Sequence, residues 1–91
     1  MEDASMRELE RSLKALANKR RLAILSYLKA HGEATVGDIA QKIKLSFKAT
    51  SRHLSILSAV DILEKNQKSL NVFYRLAVSQ SPSAKHIISL L

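Results

Sequence analysis

The sequence predicts a mainly helical fold with a β-hairpin wing, in the order of a winged helix-turn-helix: four helices, two strands, one last helix. Three observations predict it. Apolar residues recur at the 3- and 4-residue spacing of helical faces from Met6 to Leu57. After Asp61 the period drops from 3.6 to 2, as it does in strands. Between the two lies a helix with two stripes, running from Ser46 toward Leu63. Phe47, Thr50, Leu54 and Leu57 make an apolar stripe that should pack on a core, while Lys48, Ser51, Arg52 and Ser55 make a small, cationic stripe without a carboxylate.

Each element has a local justification. Ser5 and Glu8 have the spacing of a capping box ahead of the stripe Met6, Leu9, Leu13 and Leu16. Asn18 caps a second helix with Leu22, Ile24, Leu25 and Leu28 inward, and His31-Gly32 ends it, glycine supplying the left-handed residue that a helix terminus favours. Thr35 with Asp38 opens a short third helix carrying Val36, Ile39, Ala40 and Ile43. Lys44-Leu45 makes a brief turn and Ser46 caps the two-striped recognition helix, which completes a helix-turn-helix outline. Residues 62–67 and 70–76 read as the hairpin, with Lys68-Ser69 near its tip. After the linker Ser79-Gln80-Ser81, the pair Ser81-Pro82 is a cap and first-turn proline, and Ala84, Ile87, Ile88 and Leu91 line a final helix.

That last helix, about ten residues long, is too short to persist alone. Its stripe needs a cover, and the N-terminal stripe is the obvious one, within the subunit or across a two-fold axis. The reading is therefore one domain over residues 1–91. Terminal helices 5–17 and 82–91 form a dimer interface through Met6, Leu9, Leu13, Ala84, Ile87, Ile88 and Leu91.

Charge narrows the function. The 91 residues carry 15 Lys+Arg against 8 Asp+Glu, a net +7, unevenly spread: +2 over residues 1–34, where Glu2, Asp3, Glu8 and Glu10 balance the first helix, and +5 over residues 35–91. An excess of this kind suits a polyanion. No apolar run approaches the ~18–20 residues of a membrane span, and the acidic start is no signal peptide. With no cysteine, disulfides, thiolate metal sites and thiol redox sensing are excluded. A cytoplasmic protein with no cofactor and no membrane partner is the expectation. There is no glycine-rich phosphate loop and no nucleophile–base arrangement, so an enzyme is the weakest reading. Two Phe and two Tyr leave little for the base stacking of generic RNA binders, with Phe47, Phe73 and Tyr74 read as packed.

Three phrases carry a family resemblance: residues 13–25, Leu-Lys-Ala-Leu-Ala-Asn-Lys-Arg-Arg-Leu-Ala-Ile-Leu; residues 51–57, Ser-Arg-His-Leu-Ser-Ile-Leu; and residues 73–76, Phe-Tyr-Arg-Leu. In order and spacing the chain resembles the ArsR/SmtB family of winged-helix repressors. The resemblance implies a homodimeric transcriptional repressor, its recognition helices in successive major grooves of an inverted repeat of double-stranded DNA. Two departures matter. Asp61 stands where the family usually has glycine after the recognition helix, and aspartate tolerates a left-handed backbone. The family's arsenic and cadmium/lead sensors place two cysteines on the third helix where this chain has Thr35 and Gly37, and the zinc, cobalt and nickel sensors use Asp, His and Glu on the last helix, where this chain has only His86. Neither metal site carries over.

The candidate DNA contacts are Lys48 and Arg52, suited to phosphate or guanine; Ser51 and Ser55, short donors permitting close approach; and Ser46, whose hydroxyl and neighbouring N–H groups suit a phosphate. Lys42 and Lys44 beside the turn fit backbone contacts. Lys65 and Lys68 in the wing fit the minor groove or a solubilising hairpin tip. His53, between the stripes, reads equally as a packing residue or a base contact. His31 is assigned to carbonyls at the end of its helix. The Lys19-Arg20-Arg21 cluster suggests salt bridges to Glu8 or Glu10, or a phosphate contact. Two alternatives to a sequence-specific regulator stay open: a winged-helix protein-interaction module, and a general nucleic-acid binder without sequence preference.

Overall fold

Side-chain caps set where most helices begin in the computed structural model, which describes residues 4–91. The order is α1 (Ala4–Leu16), α2 (Lys19–His31), β1 (Glu33–Thr35), α3 (Val36–Ile43), α4 (Phe47–Ala59), β2 (Leu63–Lys68), β3 (Asn71–Leu76) and α5 (Pro82–Ser89). Asn18 Oδ1 accepts from the Arg20 and Arg21 amides, Thr35 Oγ1 from Asp38, Ser46 Oγ from Ala49 and Ser81 Oγ from Ala84. Each satisfies N–H groups that a helix start leaves orphaned. Gly32, at φ 88°, ends α2, and its N–H returns to the Leu28 carbonyl. Asp61, at φ 59°, takes the left-handed turn between α4 and the wing that the family resemblance implied for this position.

Three expectations are corrected. Ser5 already lies inside α1, so it does not cap that helix; the part assigned to Glu2 and Asp3 falls outside the described residues. The hairpin turns at Ser69-Leu70, with Lys68 the last residue of β2, because Ser69 accepts the positive φ of 59° that a two-residue loop needs. The sheet also has a third strand. β1 pairs antiparallel with β3 (Glu33 opposite Arg75, Ala34 opposite Tyr74, Thr35 opposite Phe73), in sheet order β1-β3-β2. Three residues are too few for a period-2 pattern to register, and only the partner strand defines them.

The core gathers Ile24, Leu25 and Leu28 from α2, Ile39 from α3, Leu54 and Leu57 from α4, and Ile62, Leu63 and Tyr74 from the wing base. Fully burying each Leu or Ile contributes about 1.5–3 kcal/mol, which holds the base of α4 and the wing on one scaffold. Ala84 and Ile88 of α5 and Ala15 and Leu16 of α1 join the same core.

Candidate nucleic-acid interface

α4 follows α3 after a left-handed residue, Lys44 at φ 58°, whose N–H closes on the Gln41 carbonyl. This tight link lets α4 lean on α3 and keep its other side in solvent. Thr50, Leu54 and Leu57 are buried as read, while Lys48, Arg52 and Ser55 are exposed and Ser51 is half-buried. Lys42, Lys44 and Ser46 are exposed at the same end of the helix. None of the four cations Lys42, Lys44, Lys48 and Arg52 meets a carboxylate among the described residues. A cation without an internal partner is held only by water, the state that a phosphate most readily replaces.

Phe47 is the correction in this helix. It was assigned to the packed stripe, yet it is 63% exposed, while Thr50 one turn later is fully buried. At ~100° per residue, Phe47 lies within roughly 20° of Leu54 around the axis, so the periodicity placed it on the right side. It stands about 10 Å further along the axis, at a rise of ~1.5 Å per residue, where the first turn projects beyond the core.

The wing is partly tied down. Lys68 Nζ donates to Glu33 of β1 and lies 5.4 Å from the centre of the Phe73 ring, while Arg75 Nε donates to Glu64 across the strands at 2.7 Å. Lys65 has no such partner among the described residues. Of the two wing lysines, Lys65 is therefore the readier to meet a phosphate.

His53 and Arg21 form a joint that sequence reasoning missed. Arg21 Nε and Nη2 donate to the Ala15 and Lys14 carbonyls at the end of α1, and Nη1 lies 3.2 Å from His53 Nδ1. A guanidinium only donates, so Nδ1 accepts and the imidazole proton sits on Nε2. Burial, then the positive charges of Arg21, Arg20 and Arg52, lower the His53 pKa below its ordinary value. Of the cluster, Arg21 thus answers to the end of α1 and to His53; Glu10 pairs with Lys14 instead, at 3.7 Å. A helix end leaves carbonyls that need donors from outside it, and Arg21 supplies them to Ala15 and Lys14 from six and seven positions on. His31 Nδ1 meets the Tyr27 carbonyl at 3.2 Å, as read.

The opposite end is apolar. Met6, Leu9 and Leu13 of α1 are 59%, 46% and 44% exposed, and Leu90 and Leu91 are open beside them. Ala84 and Ile88 are buried within the protomer, and Ile87 is half-buried. Of the α5 stripe, only Ile87 and Leu91 keep surface for another molecule. Where the family's metal sensors have cysteines, Thr35 Oγ1 is engaged in capping α3 and Gly37 has no side chain, so these positions do not fit a metal.

Comparison with known proteins agrees with this geometry. The family described as "Bacterial regulatory protein, arsR family" matches residues 18–65, from the α2 cap into β2. The transcriptional activator HlyU of Vibrio cholerae is 38% identical over 79 residues, covering 87% of this chain and 69% of HlyU. The transcriptional repressor SdpR of Bacillus subtilis is 35% identical over 63 residues, 69% of each chain. The homodimeric winged helix-turn-helix DNA-binding domain of a possible ArsR-family regulator from Mycobacterium bovis superposes with a TM-score of 0.81 at 31% identity, over 96% of this chain and 77% of that one.

Proposed function

The chain belongs to the arsR family of bacterial regulatory proteins, and from that membership we propose that it is a sequence-specific DNA-binding repressor acting as a homodimer on an inverted-repeat operator. Its family and relatives are regulators of transcription and not enzymes. α4 enters the major groove, with Lys48 and Arg52 reaching phosphate or guanine and Ser51 and Ser55 allowing close approach. Ser46, Lys42 and Lys44 hold the flanking backbone, and Lys65 and Lys68 approach the adjacent minor groove. His53, a residue of α4, ties that helix to Arg21 and keeps its Nε2–H as the remaining donor. Two subunits joined through Met6, Leu9, Leu13, Ile87 and Leu91 set the recognition helices about 34–36 Å apart, one DNA turn. The site of action is the cytoplasm of a prokaryotic cell, at the nucleoid.

One observation carries this reading: α4 presents an outer face with Lys48 and Arg52 and no acid, on a core-anchored helix whose neighbours Lys42 and Lys44 also meet no carboxylate among the described residues. A solvated helix with nothing to bind normally mixes charge signs. The test is selection of binding sites from a random duplex library. An enriched inverted repeat with half-sites one turn apart is the expected outcome. Enrichment of no sequence, or equal affinity for single-stranded RNA and duplex DNA, overturns it.

A further inference from the structure

Phe47 is an unexpected residue to find in solvent at the first turn of a recognition helix. The residue is 63% exposed, and it lines an open cleft together with Val36 at the start of α3 and Lys65, Leu70 and Val72 of the wing. Its neighbours on the helix surface are polar: Ser46 before it, Lys48 after it, and Ser51 one turn on, roughly 40° around the axis. On its cleft side Phe47 faces Val36, Leu70 and Val72, while on its own helix it is flanked by hydroxyls and a cation, the surroundings of a nucleic-acid contact. In helix-turn-helix proteins the base edges are touched by the N-terminal residues of the recognition helix, and Phe47 is the first residue of α4.

A phenyl ring has neither donor nor acceptor, so it is blind to the polar edges of guanine, cytosine and adenine. The apolar feature of the major groove is the C5-methyl of thymine. Resting on the proposed DNA reading, we propose that Phe47 is a specificity residue: it packs on a thymine methyl in each half-site and makes that thymine a required base. Lys48 and Arg52 reach phosphate or guanine, and Phe47 adds a choice among bases that present the same phosphates. The contact also hides ring surface that the protomer leaves wet.

The experiment uses the full chain, as wild type and as Phe47→Ala, whose exposed side chain is absent from the core. Binding-site selection from random duplexes yields the wild-type consensus. Each recurrent thymine is then replaced by deoxyuridine, which removes the methyl alone. Burying one such carbon corresponds to about a fourfold change in affinity per half-site, hence roughly fifteenfold for both. The wild type should lose affinity by that factor at one symmetric pair of thymines. Phe47→Ala should bind thymine and deoxyuridine duplexes equally and should not select thymine there. Equal wild-type affinity for thymine and deoxyuridine at every selected position overturns the proposal and leaves the DNA reading intact, as does an unchanged ratio in Phe47→Ala. Failure of the wild type to select any motif overturns both.

Discussion

α1 and α4 are the same length and carry similar apolar stripes, but the fold treats them in opposite ways. α4 turns Thr50, Leu54 and Leu57 into the core and leaves its cations outside. α1 buries Ser12, Ala15 and Leu16 and leaves Met6, Leu9 and Leu13 facing water. An amphipathic pattern therefore says that an apolar face needs cover, not whose atoms supply it. The difference also separates the two contacts physically. On the proposed reading, the contact of α4 with DNA is Coulombic and should respond to salt, whereas the contact of α1 with a second subunit is burial, which moderate salt barely touches.

Salt gives the largest separation. If a dimer neutralises roughly 6–10 phosphates, duplex affinity should fall by about 10³–10⁵ between 50 and 200 mM salt. Sedimentation over the same range should show no matching change in oligomeric state. A dimer that dissociates in step with the loss of DNA would merge the two surfaces into one.

Charging the apolar end comes next. Leu13→Glu places a carboxylate in the α1 surface without entering the core, since Leu13 is already 44% exposed. It should give a monomer at micromolar concentration with unchanged helix content. Affinity for an inverted repeat should drop by about 10²–10⁴, the advantage that a linked second half-site confers. A monomeric variant with full operator affinity would show that α1 is not what pairs the two recognition helices.

Much of this was legible in the sequence. Asn18, Thr35, Ser46 and Ser81 could each be read as caps because a cap needs only one side chain and the amides beside it. Asp61 could be read as a left-handed residue only through the family resemblance, which puts a glycine at that place. What escaped reading depends on distance along an axis or across the chain. Phe47 has the right angle and the wrong height. β1 exists because β3 passes beside it. The Arg21–His53 contact spans 32 positions, and no spacing rule reaches that far. Ala84 and Ile88 belonged to a stripe whose cover was rightly sought in α1, but their burial inside the protomer needed the packed fold to appear.

Within the cationic end, the residues should divide further. Arg52→Ala and Lys48→Ala should each weaken binding to the selected duplex by about ten- to a hundredfold and narrow the gap to random duplex. Lys44→Ala should weaken both duplexes alike and lower the salt slope by about one. Paired titrations on the two duplexes measure this. If Lys44→Ala alone relaxed specificity, the base-reading face would lie on the turn and not on α4.

The smallest effect is expected where the two ends meet. Arg21 holds the last carbonyls of α1 and, through Nη1, the Nδ1 of His53 on α4. Protonating His53 removes that acceptor and sets imidazolium against guanidinium, consistent with a pKa lowered by burial and then by Arg21, Arg20 and Arg52. Because the folded pKa lies below the ordinary value of 6.5, the unfolded chain takes up the proton first as pH falls. The stabilisation is therefore complete above pH 6.5 and is lost as acid carries the pH below it. Glutamine at this position offers Arg21 a carbonyl acceptor that does not titrate. Melting curves at pH 7.5 and 5.5 should show a larger fall in Tm for wild type than for His53→Gln, with His31 and His86 common to both proteins. Equal falls would mean that the joint between α1 and α4 does not depend on the protonation state of His53, and that the two ends are coupled by packing alone.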